Sequence, residues 1–368
     1  MGQPIDRITI KGFKSIESLE NLKLTELNVL IGANGAGKSN FVDFFRMLRA
    51  FADERFQKFV NESGGGDGFL FLGPKVTPSI WSRLEFGQYA YVVQLSPTAA
   101  GSLHISSEDV EYCHIGHSIS QGSLESKLSD YKHDRSIANS RRPPVARDVY
   151  ELISNRAVYH FHDTTPLSAM RRDQSLRDNE QFHHDASNIA PLLLNLQTAA
   201  AQSYELIRDT VRLIAPFFDD FLLRPQTKGP NELVRLEWNQ KGSDFPFQPY
   251  QLSDGTIRFI CLATALLQPN PPATIVIDEP ELGLHPYAIS ILADLIKSAS
   301  KRTQVIISTQ SPTLLDYFDA NQIIVVNRRD GRSIFERLDP QDYAEWIDDY
   351  SVGELWQKNV VRGGPTRE

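Results

Sequence analysis

The 368-residue chain has only two cysteines, Cys113 and Cys261, far apart in ordinary sequence. That excludes a disulfide framework and a four-cysteine zinc site, and a reducing cytoplasm is the expected compartment. No stretch reaches the roughly 18 apolar residues of a membrane span, so no membrane partner is expected. Met1 to Ile10 lacks the apolar core of a secretion signal, and Asp6 stands where a myristoylated Gly2 would want Ser or Thr. Basic residues are in the minority, 38 Lys and Arg against 46 Asp and Glu, a formal charge of −8. A protein that coats nucleic acid by bulk electrostatics is therefore excluded, and any polyanion contact must be local. No internal repeat and no long heptad run occurs, which removes solenoids and a coiled-coil arm. Neither a Gly-x-Ser-x-Gly elbow nor a His-Glu-x-x-His segment is present.

What is there has globular proportions, 41% hydrophobic and 23% charged, over a length that allows one large domain or two. Short apolar runs at Ile8 to Ile10 and Leu27 to Ile31 predict strands. The second runs directly into Gly32-Ala33-Asn34-Gly35-Ala36-Gly37-Lys38-Ser39. A helix follows with Phe41, Phe44, Phe45, Leu48 and Phe51 on one face, an ordinary core stripe. Alternation around Leu84 to Phe86, Tyr89 to Leu95 and Leu103 to Ile105 predicts an antiparallel meander. A strand at Ala157 to Phe161 leads toward a helical lobe in which Tyr204, Ile207, Val211 and Ile214 share a face, closed by Pro216. Helix Thr256 to Leu267, strand Thr274 to Asp278, helix Tyr287 to Ser298 and strand Val305 to Thr309 then alternate, as in a helix-covered parallel sheet.

Gly32 to Ser39 satisfies G-x-x-x-x-G-K-[ST] in full, after an apolar strand and opening a helix, where the motif works mechanically. Backbone N–H groups of Asn34, Gly35, Ala36, Gly37 and Lys38 can wrap a β-phosphate. The Lys38 ammonium can bridge β- and γ-phosphates, and the Ser39 hydroxyl, followed by Asn40, can ligate Mg²⁺. ATP with Mg²⁺ is the expected pair. The strand Thr274 to Asp278 ends in Asp278-Glu279. At the C-terminal edge of a parallel sheet Asp278 can hold the Mg²⁺ shell while Glu279 polarises the attacking water.

Ser253 lies 25 residues before Asp278, in Leu252-Ser253-Asp254-Gly255-Thr256 at the start of an apolar helix. Here the chain resembles the ATP-binding-cassette (ABC) superfamily, whose signature Leu-Ser-Gly-Gly-Gln precedes the Asp-Glu strand. Glu279-Pro280-Glu281-Leu282-Gly283-Leu284-His285-Pro286 and the opening Ile10-Lys11-Gly12-Phe13-Lys14-Ser15-Ile16 look like the RecF, SMC and OLD branch. The run from Gln251 to Pro286 resembles its stand-alone bacterial ATPases, often found in phage-defence modules.

The resemblance implies an α/β fold, a P-loop ABC-type ATPase head with a mixed β-sheet nucleotide-binding lobe and an inserted helical lobe. It also implies a homodimer in which Ser253, Asp254 and Gly255 complete the partner's site. Gln310, 31 residues after Glu279, stands where many relatives carry a His that touches the γ-phosphate. Its amide can hydrogen-bond but carries no proton charge, so slow hydrolysis is expected; the plainer alternative is that Gln310 caps the next helix. His162 and Asp163 are candidates for the superfamily's Gln-bearing loop, although no Gln is present there. His160, His162, His183, His184 and Asp185, and separately Cys113, His114 and His117, are read as solvated or core residues in preference to metal ligands.

The expected layout is one split head. Residues 1–117 and 234–340 form the nucleotide-binding core, 118–233 the insertion, and 341–368 a tail whose interleaved acids and aromatics suit either protein docking or packing on its own domain. Arg135, Arg141, Arg142 and Arg147 make the insertion's loop basic. It is either simply solvated or a local DNA or RNA contact. After Pro312, 56 residues are too few for a second α/β domain. An effector, a nuclease or toxin, is therefore expected as a separate polypeptide gated by this ATPase. The competing expectation is a RecF-like DNA clamp acting in repair.

Overall fold

The computed structural model describes residues 3–132, 144–343 and 350–361. The chain divides into two compact units, Met1–Val158 with Pro272–Val276 and Thr303–Glu368, and Tyr159–Pro271 with Ile277–Arg302.

The first unit is built on two six-stranded sheets. One is antiparallel and contains the expected meander as β4 to β6: β1 (Arg7–Phe13), β2 (Ile16–Lys23), β4 (Ile80–Phe86), β5 (Tyr89–Pro97), β6 (Leu103–Tyr112) and β7 (Ile115–Ser120), in the order β2-β1-β4-β5-β6-β7. Alternation sets its faces: Ile80, Ser82, Leu84 and Phe86 of β4 are buried and the residues between them half-buried. The other sheet holds β3 (Leu27–Ile31), β8 (Arg156–Tyr159), β15 (Thr274–Asp278), β16 (Gln304–Thr309), β17 (Ile323–Arg329) and β18 (Arg332–Arg337), in the order β18-β17-β3-β16-β15-β8. β3 pairs in parallel with β16 and β17, and β18 pairs antiparallel to β17, so the sheet is mixed. Every residue of β3 and β16 is buried, in keeping with their largely apolar centres, Val29 to Ile31 and Val305 to Ile307.

Helix α1 (Lys38–Ala52) buries Phe41, Phe44, Phe45, Leu48 and Phe51 in one core with Ile10, Leu84, Ile306 and Ile324. Each such phenylalanine contributes about 2–3 kcal/mol by leaving water. The edge-to-face Phe13–Phe44 pair, 5.6 Å between centroids, ties the helix to β1. Helices α2 (Phe56–Glu62) and α3 (Pro144–Ser154) belong to the same unit, as do α8 (Pro312–Leu315) and α9 (Val352–Gln357). Within the tail, α9 packs on α8: the Gly353 N–H donates to Asp316 Oδ1 at 2.9 Å, and Leu355 and Val361 are buried.

The second unit is organised by α6 (Asp254–Leu267), buried from Ile257 to Leu267, with α4 (Ile189–Ala199), α5 (Ala201–Ile214) and α7 (Pro286–Ser300). On α5 the expected face is buried at Tyr204, Ile207 and Val211, and the helix ends before Pro216. Two small sheets complete it, β10 (Phe218–Leu222), β13 (Glu237–Gln240) and β14 (Pro246–Phe247), and β9 (Gln174–Ser175), β11 (Gln226–Lys228) and β12 (Asn231–Val234). Trp238 stacks on Phe247 at 4.6 Å.

Two expectations are corrected. The strand beginning at Ala157 was expected to reach Phe161, but β8 ends at Tyr159 because the His160 N–H donates to the His184 carbonyl at 2.8 Å instead of to a ladder. The helical lobe toward which that strand was expected to lead also does not follow directly, since the next α-helix is α4, from Ile189. Residues 160–188 stay largely irregular because side chains take over the backbone groups: Arg171 Nε donates to Thr164 O, and Asn188 Nδ2 donates to Asp178 O and Gln181 O. Among the described residues no helix is long and apolar enough to cross a membrane.

Candidate functional site

In the first unit the loop Gly32 to Ser39 joins β3 to α1. Its glycines are dictated by contact. A Cβ at Gly32 would run into the Val326 carbonyl, and one at Gly37 into the Ser333 and Ser15 hydroxyls. Gly35 and Gly37 also hold φ of 78° and 111°, which L side chains avoid. Gly37 is the N-cap of α1, no side chain caps it and no acid lies in the first turn, so the positive end of the helix is left for an anion. Asn34, Gly35 and Ser39 are exposed, whereas Lys38 is buried. Its Nζ donates to Gly32 O at 2.6 Å and Ala33 O at 3.2 Å, which curls the loop around the ammonium.

Gln310 leaves the sheet at the same edge as the loop, since Thr309 of β16 is in register with Ile31 of β3. It does not cap α8. Ser311 does, accepting from the Leu314 N–H at 3.2 Å. A hollow of about 420 Å³ beside the P-loop is lined by Lys14, Ser15, Asn40, Leu72, Arg328 and Gly331, among others. Arg328 Nη1 donates to Gly35 O at 3.1 Å.

The second unit carries Asp278, Glu279 and the turn Leu252 to Thr256. Asp278 is buried at the end of β15, and Glu279 adopts a left-handed backbone, φ 44°, uncommon for a residue with a Cβ and typical of strained functional turns. His162 Nε2 lies 3.0 Å from the Asp278 carbonyl, and the His160 and His162 rings are 3.9 Å apart, so His162 does meet the acidic turn. Asp163 instead accepts from Thr165 N and Thr165 Oγ1, closing a local turn. Ser253 is exposed and caps α6, accepting from the Thr256 N–H at 3.1 Å; Gly255 packs so closely on the Gly283 carbonyl that a Cβ would not fit.

Two arginines that sequence reasoning passed over hold these loops. Arg258 Nε donates to Phe161 O at 2.9 Å, Nη2 to His162 O at 3.2 Å, and Nη1 to Leu282 O. Burial pushes its guanidinium pKa down. Arg171 donates to the Pro249 and Leu252 carbonyls and pairs with Asp254 Oδ1 at 2.9 Å, fixing the turn before α6. The signal for Arg258 was a lone cation inside an otherwise apolar helix.

Ser39 and Asp278 offer hydroxyl and carboxylate oxygen, the hard donors Mg²⁺ takes. Among the described residues no group of three or more His, Cys, Asp or Glu is placed to hold a metal. Arg135, Arg141 and Arg142 lie outside the described residues; Arg147 pairs with Glu151 on α3 at 3.1 Å.

A family model described as "AAA domain, putative AbiEii toxin, Type IV TA system" matches residues 111–316, and one described as "AAA ATPase domain" matches residues 4–114. Among solved structures, an SMC head bound to the C-winged helix domain of ScpA aligns with TM-score 0.59 and 16% identity, covering 93% of this chain and 99% of that one. An SMC head domain with an extended coiled coil, bound to the C-terminal domain of ScpA derived from Pyrococcus furiosus, aligns with TM-score 0.56 and 15% identity, covering 94% and 99%. No curated protein matches. The fold is thus that of a P-loop, ABC-type ATPase head of the kind found in SMC proteins.

Proposed function

The chain belongs to the AAA-domain family matched over residues 111–316 and is an ATPase of the AAA and SMC-head type; from that premise we propose that it is a nucleotide-gated switch, closing as a head-to-head homodimer on two ATP and opening on hydrolysis. The observation that carries the nucleotide reading is the loop Gly32 to Ser39. Its exposed residues Asn34, Gly35 and Ser39 and the uncapped, acid-free start of α1 are built for phosphate, with Lys38 at its centre. The hollow lined by Lys14, Asn40, Leu72 and Arg328 suits the nucleoside end.

In this reading Asn34 to Lys38 hold the β-phosphate, and Asn40 follows in the same turn of helix. Ser39 and Asp278 would hold Mg²⁺, which supplies charge neutralisation to the phosphates when bound. Glu279 orients and polarises the attacking water. Gln310 hydrogen-bonds the γ-phosphate without a proton to exchange, which favours slow turnover. His162, against the Asp278 carbonyl, relays the acidic turn to the segment that follows β8. Ser253, Asp254 and Gly255 present a helix N-terminus to the partner's γ-phosphate. Support for a protein partner comes from Tyr250, Leu282 and Tyr287, large side chains of the second unit that are 66%, 45% and 57% exposed.

The family's description names a "putative AbiEii toxin, Type IV TA system", which supports a link between this switch and toxin activity; its extension here is the gating of a separately encoded nuclease or toxin in anti-phage defence, in the cytoplasm. The alternative of a DNA clamp has less support, since Arg147 is already paired with Glu151 and the chain is net acidic. Size-exclusion chromatography tests the switch. Glu279→Gln should accumulate an ATP-bound dimer with hydrolysis reduced at least about a hundredfold, and Lys38→Ala should stay monomeric and bind no nucleotide. A Glu279→Gln protein that hydrolyses ATP like the parent removes Glu279 from the mechanism.

A further inference from the structure

Behind the P-loop, within the first unit, side chains from three distant parts of the chain form one hydrogen-bonded line. Ser15 sits in the turn between β1 and β2, and Ser333 on β18. Their hydroxyl oxygens are 2.6 Å apart. Ser333 Oγ is also 2.6 Å from the Ala36 carbonyl oxygen, and Asn40 Nδ2 is 2.6 Å from Ser15 Oγ. The direction of every bond follows from chemistry. A carbonyl only accepts, an amide NH₂ only donates, and each hydroxyl has one proton. Ser333 must give its proton to Ala36, so Ser15 donates to Ser333 and Asn40 donates to Ser15.

The line ends on the peptide that matters most for phosphate binding. In a planar trans peptide the N–H points opposite the C=O. Holding the Ala36 carbonyl against Ser333 therefore turns the Gly37 N–H to the opposite side, away from β18. The Ser333 and Ser15 hydroxyls also fill the space where a Cβ on Gly37 would go. β18 is held for this task. The Ser333 N–H donates to Ser15 O at 2.8 Å, the Arg332–Glu17 ion pair spans the same two segments at 2.8 Å, and Ser333 itself is buried.

We propose that Ser333 is a positioning residue for nucleotide binding, setting through the Ala36 carbonyl the orientation of the Gly37 N–H toward the β-phosphate of a nucleoside di- or triphosphate, with Ser15 and Asn40 donating along the line to hold the Ser333 hydroxyl in place. This rests on reading residues 32–39 as the phosphate loop. Ser333 lies 297 residues from Ala36 and belongs to no nucleotide motif.

The test uses the full chain and its Ser333→Ala, Ser15→Ala and doubly substituted forms, titrated calorimetrically with ADP and with ATP, alongside hydrolysis at saturating ATP. Ser333→Ala should weaken both nucleotides about tenfold, the size of one well-made hydrogen bond. kcat should stay within about twofold, because saturating nucleotide re-orders the loop. The double form should be no weaker than Ser333→Ala alone, since Ser15 acts through Ser333. Parental affinity in Ser333→Ala, additive losses in the double form, or a fall in kcat at unchanged affinity each overturn the proposal. If Ser333→Ala does not fold, Ser15→Ala must show the affinity loss by itself, and parental binding there is equally fatal. Lys38→Ala separates the two readings. Should the parent itself bind no nucleotide, the phosphate-loop reading falls and this proposal with it; should only Lys38→Ala lose binding, the role of Ser333 alone is wrong.

Discussion

Glu108 is a buried carboxylate with three donors, Tyr91 OH at 2.6 Å, the Lys127 N–H at 2.9 Å and Ser126 Oγ. Burial raises its pKa above the usual carboxylate range, and those donors pull it part of the way back. Because the folded value lies above the unfolded one, the associated stability is fully present below the unfolded pKa and is lost as pH rises through the folded pKa. Tyr91→Phe removes a donor to the charged form and so raises the folded value further. We expect it to cost about 1–3 kcal/mol near neutrality. The gap in melting temperature between parent and variant should widen as pH is raised from about 4 to about 7, across the range in which an ordinary glutamate ionises. A gap independent of pH would mean that Glu108 is not the group responsible.

At the scale of elements, α6 is the lever of the second unit, because one side chain on it, Arg258, holds the carbonyls of Phe161, His162 and Leu282. Arg258→Ala leaves three inward-facing acceptors without that donor and should loosen both segments by about 3 kcal/mol, roughly a hundredfold in local opening. Hydrogen exchange should quicken across residues 160–165 and 280–286, while peptides of β3 and α1 keep parental protection. Uniform exchange changes would contradict a local clamp. The element itself was plain in the sequence: Ser253 caps it, its apolar run fills it and Pro269 follows its end. β3, β16, the meander and the α1 stripe were equally legible, because each is fixed by a local period or a motif. The partners of Arg258, Arg171 and Ser333 were not legible, since they are backbone carbonyls and hydroxyls brought near by tertiary folding. The early end of β8 and the irregular run after it escaped for the same reason: the distant His184 carbonyl and side chains, not a ladder, satisfy that backbone.

For the whole molecule, the residues proposed for ATP hydrolysis are divided between two units: the P-loop and Gln310 in one, Asp278, Glu279 and the proposed signature turn in the other. If the signature acts in trans, as proposed, each site of a closed dimer draws Lys38 from one chain and Ser253 from the other. That geometry can be tested without any structure of the dimer. Lys38→Ala keeps an intact signature but cannot bind ATP, and Ser253→Arg keeps an intact P-loop but cannot complete its partner's site. Each should be inactive alone. Mixed in equal amounts, the two variants can pair, and each mixed dimer holds one complete site and one doubly defective site. Hydrolysis by the mixture should therefore recover, to no more than about half of the parental rate, if one complete site suffices. It should do so only at protein concentrations at which Glu279→Gln forms its ATP-bound dimer, because recovery depends on association. Full activity of Ser253→Arg on its own would show that Ser253 acts, if at all, within its own chain, where its hydroxyl already caps α6 at the Thr256 N–H.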